Sequence, residues 1–146
     1  ALDFSIDSTD ENISLAAEKV YGFFENSDVS KKTRYVSALS LDEICADFIQ
    51  NVKASKKYNP AKKNTTDIKM FIDDDSVEII VRNMSRPYNP LNFDHRVDDD
   101  FSKIGIMMIQ KLAEKINYTY VYKMNIINIR IAKTTSDNKM QGGTDV

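Results

Sequence analysis

The segment Leu2-Asp3-Phe4-Ser5-Ile6 alternates apolar and polar side chains, the pattern of a strand with one buried face. Ile13, Ala16, Ala17, Val20, Phe23 and Phe24 then recur at helical spacing. They predict a first helix from about Asp10 to Glu25, with Ser8 and Glu11 spaced as a capping box at its start. After the break Asn26-Ser27-Asp28, Ser30 is placed to cap a second helix, predicted from about Lys31 to Ala54. Its apolar stripe takes in Tyr35, Leu39, Leu41, Ile44, Cys45, Phe48, Ile49 and Val52. Ser55 to Thr66 is polar and basic, contains Pro60, and reads as a loop. Ile68, Met70 and Ile72 alternate with polar neighbours as a strand, Asp73-Asp74-Asp75 turns the chain, and Val77 to Val81 is the return strand.

Asn83 to Asp100 contains Pro87 and Pro90 and lacks a helical period, so it is expected to be an irregular loop of the kind that carries function. Phe101, Ile104, Met108, Leu112 and Ile116 mark a third helix. Tyr118 to Tyr122 and Ile126 to Ile131 form a second hairpin around Lys123-Met124-Asn125. The order of elements predicts an α+β two-layer sandwich: a mixed, mostly antiparallel sheet of four to five strands with about three helices on one face. One domain is expected over 1–133, followed by a flexible C-terminal tail over 134–146 that includes Gly142-Gly143.

Composition narrows the chemistry. The 146 residues carry 20 Lys and Arg against 22 Asp and Glu, a formal charge of −2, so a nucleic-acid partner is not expected. No apolar run approaches the roughly 20 residues that cross a bilayer, and the first residues lack a basic-then-apolar leader. The expected place is cytoplasmic or cytosol-facing. A start at Ala1 is compatible with a domain excised from a larger or membrane protein. The single cysteine, Cys45, excludes a disulfide framework and a multi-cysteine zinc site. It lies in an apolar stripe among acids, which suits a buried small hydrophobe better than a reactive thiol. The single histidine, His95, is more simply a solvated loop residue than a proton shuttle. The segment Lys53 to Lys63 is strongly basic and can attract a nucleotide or an acidic partner, or be a solvated loop. Asp98-Asp99-Asp100 would repel phosphate or hold a cation loosely.

Three short stretches remain. In Leu41-Asp42-Glu43-Ile44-Cys45-Ala46-Asp47 the i, i+4 spacing puts Glu43 and Asp47 on one helix face, either as a functional pair or as part of a solvated surface. Asn83-Met84-Ser85-Arg86-Pro87-Tyr88-Asn89-Pro90-Leu91 follows a strand as either a ligand-binding loop or an ordinary proline turn. Lys103-Ile104-Gly105-Ile106 opens the third helix. Together with the order of elements, from roughly Phe4 to Ala132, these stretches resemble the GHKL ATPase fold of histidine-kinase catalytic domains. More narrowly they are similar to the RsbW-like anti-sigma-factor serine kinases, whose Pro-Phe-Asp-Pro-Leu pattern matches Pro87-Tyr88-Asn89-Pro90-Leu91.

The resemblance implies ATP and Mg²⁺ as cofactors. It assigns Glu43 as the catalytic base and Asp47, where the family has Asn, as the metal ligand. It places Asn83, where the family has Asp, against the adenine amino group. Ser85 and Lys103 stand in glycine positions and, with Gly105, complete the nucleotide contacts. A carboxylate is a good Mg²⁺ ligand, but it adds negative charge beside a triphosphate. Asn83 accepts a hydrogen bond without the charge that strengthens one. The function this implies is an ATP-binding regulatory domain resembling serine/threonine protein kinases, with a weakened nucleotide site. The alternative is a degenerate non-catalytic GHKL-fold module acting through protein–protein binding. In either case the expected partner is a regulatory protein, whether a sigma factor, an antagonist or a fused domain, with a homodimer left open.

Overall fold

The computed structural model describes residues 1–92 and 103–133. The alternating segments form strands β1 (Leu2–Asp7), β2 (Thr65–Ile72), β3 (Ser76–Met84), β4 (Lys115–Val121) and β5 (Met124–Ala132). The amphipathic segments form helices α1 (Asp10–Phe24), α2 (Lys31–Ala54) and α3 (Ile104–Leu112). All neighbouring strands pair antiparallel in the order β1-β2-β3-β5-β4. The result is the α+β two-layer sandwich, with a sheet that is wholly antiparallel among the described residues.

Strand register explains where the core sits. Ile68, Val81 and Ile127 lie abreast on β2, β3 and β5, as do Met70, Ile79 and Ile129 in the next row; all are buried and belong to the apolar cluster shared with the helices. One step toward the end of the sheet the same face turns polar, with Thr66, Asn83 and Asn125 abreast and buried. The sheet thus has an apolar body and one polar end.

Helix α2 closes over this face with Leu41, Ile44, Cys45, Phe48 and Ile49 fully buried. Each large apolar side chain of this kind contributes about 1.5–3 kcal/mol relative to exposure. Ser37 and Ser40 are also buried in α2, because their hydroxyls donate 2.7 Å bonds back to the Thr33 and Val36 carbonyls. At the start of α2 the Ser30 hydroxyl accepts from the Thr33 amide at 3.2 Å, the cap expected of it. Tyr35 falls off the buried stripe and is exposed.

Several boundaries differ from the sequence reading for physical reasons. Thr9, not Ser8, precedes α1, and no side chain caps that helix. Ser8 Oγ instead donates to Asn64 Oδ1 at 2.6 Å and lies 2.9 Å from Thr66 Oγ1, because the β1–β2 pairing draws it to the polar end of the sheet. Helix α3 stops at Leu112, and Ile116 pairs with Ile129 in the sheet. Strand β3 runs on to Met84, taking Asn83 out of the loop. The second hairpin turns at Tyr122-Lys123, both in the left-handed region (φ 52° and 62°), so Asn125 is a strand residue. Phe101, His95, Asp98 to Asp100 and the 134–146 segment lie outside the described residues. Among the described residues no helix is long and apolar enough to cross a membrane.

Phe48 tests the packing directly. Phe48→Ala is expected to cost about 3–5 kcal/mol of unfolding free energy in urea titration; a loss below about 1 kcal/mol would show that α2 does not seal the core.

Candidate functional site

Glu43, Asp47 and Asn51 follow one another at one-turn intervals along α2. Each engages a different neighbour. Glu43 packs against the backbone of Gly105 at the start of α3: a Cβ on Gly105 would overlap the Glu43 carboxyl group. Only glycine permits that approach without displacing the carboxylate.

One turn on, Asp47 Oδ2 accepts from the Lys103 ammonium at 2.9 Å and from the Tyr88 hydroxyl at 2.9 Å. Lys103 Nζ also donates to the Tyr88 oxygen at 2.8 Å and lies 5.5 Å from the centre of the Tyr88 ring. The Lys103 and Asp47 side chains are only 16% and 15% exposed, which separates this ion pair from the exposed pairs elsewhere on the surface.

Another turn on, buried Asn51 donates to Ser85 Oγ at 3.2 Å and to the Arg86 carbonyl at 3.3 Å, while its Oδ1 accepts from Arg86 Nε at 3.0 Å. From the sheet side, Asn125 Nδ2 donates to the same Ser85 Oγ and Arg86 carbonyl, each at 2.9 Å. Asn125 Oδ1 accepts from the Tyr88 amide at 2.8 Å and from the Tyr118 hydroxyl. The segment from Ser85 to Tyr88 is therefore clamped between α2 and β5 by two buried amides.

The charges respond to this packing. Burial pushes the Glu43 carboxyl above the ordinary carboxylate range, and the neighbouring charges of Asp42 and Asp47 push it further. Burial opposes the charged form of Lys103, but its hydrogen bonds to Tyr88 and Asp47, together with the Asp47 charge, carry the ammonium above the usual lysine value. Burial also raises the Tyr88 hydroxyl, partly offset by Lys103. Burial raises the Cys45 thiol to about 12, so it is no nucleophile at neutral pH.

Asn83 stands apart from this group. Its Nδ2 donates to Asn64 Oδ1 at 2.8 Å and reaches Thr66 Oγ1 at 3.1 Å, with Ser8 Oγ and the Thr65 carbonyl at 3.3 Å. Its Oδ1 is buried without a hydrogen-bond partner. The structure thus brings Glu43 against Gly105 and, one turn along α2, Asp47 against Lys103. It links Ser85 to them through Asn125 and Tyr88, and gives Asn83 a separate set of partners.

Tyr88, Asn51 and Asn125 are the residues that sequence reasoning did not single out for a site role. Asn51 extends the Glu43, Asp47 series by one further turn, so its spacing could have found it; Asn125 was hidden by the misplaced turn. The Lys103 ammonium and the Tyr88 hydroxyl both hold Asp47 Oδ2, so a Mg²⁺ ligated through that oxygen would have to displace them.

A cavity of about 440 Å³ opens elsewhere, between the 57–64 loop and the end of the sheet, lined by Tyr58, Lys62, Lys63, Arg82, Met84 and Arg86 among others. Of the sequence-predicted site residues only Ser85 lines it. Compared with protein-family models and with curated proteins, the sequence matches none.

The raised Glu43 carboxyl gives a signed expectation. A carboxyl with a folded value above its unfolded one favours the fold fully below the unfolded value, and loses that contribution as pH rises through the folded value. Glu43 therefore weakens the fold at neutral pH. Glu43→Gln is expected to raise the melting temperature at pH 7, with the gain shrinking as pH falls into the ordinary carboxylate range near about 4. A gain independent of pH would contradict the assignment.

Proposed function

We propose that the chain is a regulatory module resembling the GHKL fold of the RsbW-like branch, acting through binding of a protein partner rather than through turnover of a nucleotide. The observation that supports this reading is the Lys103–Asp47–Tyr88 contact. In the resembled site, a glycine at position 103 would leave room for phosphate, and residue 47 would face Mg²⁺. Here the side chain at 103 fills that room, and its charge is spent on residue 47. Both oxygen-binding demands of a phosphate–metal group are met internally, so ligand binding would first have to break a shielded ion pair. A sigma factor, an antagonist or a fused domain is the kind of partner this reading calls for. A cytoplasmic or cytosol-facing place is consistent with the lone free thiol, Cys45.

A second reading is favoured by one observation, the buried and unpartnered Asn83 Oδ1. An acceptor in that condition suits an adenine amino group. In this reading ATP and Mg²⁺ would bind weakly, Glu43 would take the proton from a partner serine hydroxyl, and that oxygen would bond to the γ-phosphorus as the bond to ADP breaks and ADP leaves. The raised Glu43 carboxyl is in keeping with a base. Asp47 would have to exchange Lys103 for the metal.

A thermal-shift titration with ATP and Mg²⁺ separates the two. The first reading predicts that Asn83→Ala leaves the response of the melting temperature to about 5 mM ATP and Mg²⁺ unchanged, within about 1 °C. It also predicts that Lys103→Gly, which removes the ammonium and reopens the space, gains a saturable upward shift. A saturable shift in the unaltered protein that disappears in Asn83→Ala would overturn the first reading and support the second.

A further inference from the structure

The cavity of about 440 Å³ under the 57–64 loop is within the size range of small-molecule sites. Among the described residues five cationic side chains line it, Lys57, Lys62, Lys63, Arg82 and Arg86, against a single carboxylate, Asp67. That carboxylate is already engaged: it accepts from the Ser5 hydroxyl at 2.5 Å and faces Arg82 at 3.7 Å. Lys63 meets Asp7 at 3.7 Å with both side chains mostly exposed, a weak pairing. The lining thus keeps an excess of positive charge, in a chain whose overall charge is −2.

Two features make this lining more than a set of loose surface lysines. Arg86 is held at both ends: Asn51 accepts from its Nε at 3.0 Å, and Asn51 and Asn125 both donate to its carbonyl. Both asparagines are buried, so the guanidinium is anchored before any ligand arrives. The loop that carries the lysines is also folded on itself. Asn59 Oδ1 accepts from the Ala61 amide at 2.9 Å and the Asn59 carbonyl from the Lys62 amide at 2.9 Å, while Ser55 Oγ and its carbonyl hold the amides of Lys57 and Tyr58. Val52, Met84, Met124 and Tyr58 supply apolar lining beside these charges.

We infer that this cavity binds a small phosphate-bearing molecule, with Arg86, Lys57 and Lys62 on the phosphate and the apolar lining against an organic body. Anchored guanidinium and crowded ammonium groups favour a compact multivalent anion over a single carboxylate. A volume of about 440 Å³ suits a small molecule rather than a nucleic acid or an extended peptide. Glu43, Asp47, Lys103 and Gly105 play no part in this cavity, so the inference is independent of the reading proposed above.

Isothermal titration calorimetry of the full chain, in Mg²⁺-free buffer, tests it with pyrophosphate and ADP as probes. The expected result is saturable binding that falls by at least about tenfold in Lys57→Glu and in Lys62→Glu, two loop positions where the fold is checked by melting temperature. The charge-matched control Lys31→Glu, at the opposite end of α2, is expected to bind as the unaltered chain does. Absence of saturable heat from both probes up to about 10 mM would overturn the inference. So would an equal loss in Lys31→Glu, which would reveal nothing more than bulk charge. ADP binding that survives the loop variants but is lost in Asn83→Ala would place the ligand at the adenine position instead. Tighter binding of a glutamate-rich peptide than of pyrophosphate would make the groove a dock for an acidic protein segment and would equally refute it.

Discussion

A shielded carboxylate and a shielded ammonium, Asp47 and Lys103, join the middle of α2 to the start of α3, beside the approach of Glu43 to Gly105. Taking two opposite charges out of water is costly, and the cost is offset only where geometry is close and the remaining hydrogen-bonding capacity is used. Tyr88 supplies that use, donating to the carboxylate and accepting from the ammonium. The middle of α2, the start of α3 and the loop after β3 are thereby fixed together. Removing the Lys103 charge would leave Asp47 half-shielded near Glu43, whose carboxyl is already raised by burial and by the charges of Asp42 and Asp47.

Beneath this contact lies a change in the sheet. Most of the helix-facing surface is Ile, Val and Met packed under α2, but its last row is Thr66, Asn83 and Asn125. An apolar row there would have let the loop after β3 leave the sheet freely. Asn125 instead bonds it on the sheet side, and Asn51 bonds it from the helix side. A satisfied buried amide network of this kind fixes one geometry, because any slip exposes donors to an apolar interior. The exception is Asn83 Oδ1, the one member of the row with an unmet acceptor.

Much of the architecture was legible in the chain itself. The stripe from Leu41 to Ile49 and the alternation at Ile68, Met70 and Ile72 identify their elements without tertiary knowledge, and Ser30 marks the start of α2. The failures have local causes. Tyr122-Lys123 adopts left-handed backbone without glycine or asparagine, so the second hairpin's turn was sought one residue too late and Asn125 was assigned to it. Ser8 had capping chemistry in reach, but strand pairing with β2 used it elsewhere. At the site, spacing placed Glu43 and Asp47 on one face, and the glycine at 105 pointed to a close approach. What spacing could not reveal is that the close approach is made by Glu43 itself, or that Lys103 would reach back one helix turn further to Asp47. Those are long-range pairings, set by how α3 docks rather than by any local pattern.

Asp47 and Lys103 satisfy each other's charge at 2.9 Å. A double-mutant cycle on urea unfolding, using Asp47→Asn, Lys103→Met and the double variant, measures that interaction directly. Mutual satisfaction predicts a coupling of at least about 1 kcal/mol, with the double variant less destabilised than the sum of the single ones. Additivity within about 0.3 kcal/mol would mean that the two side chains do not depend on each other.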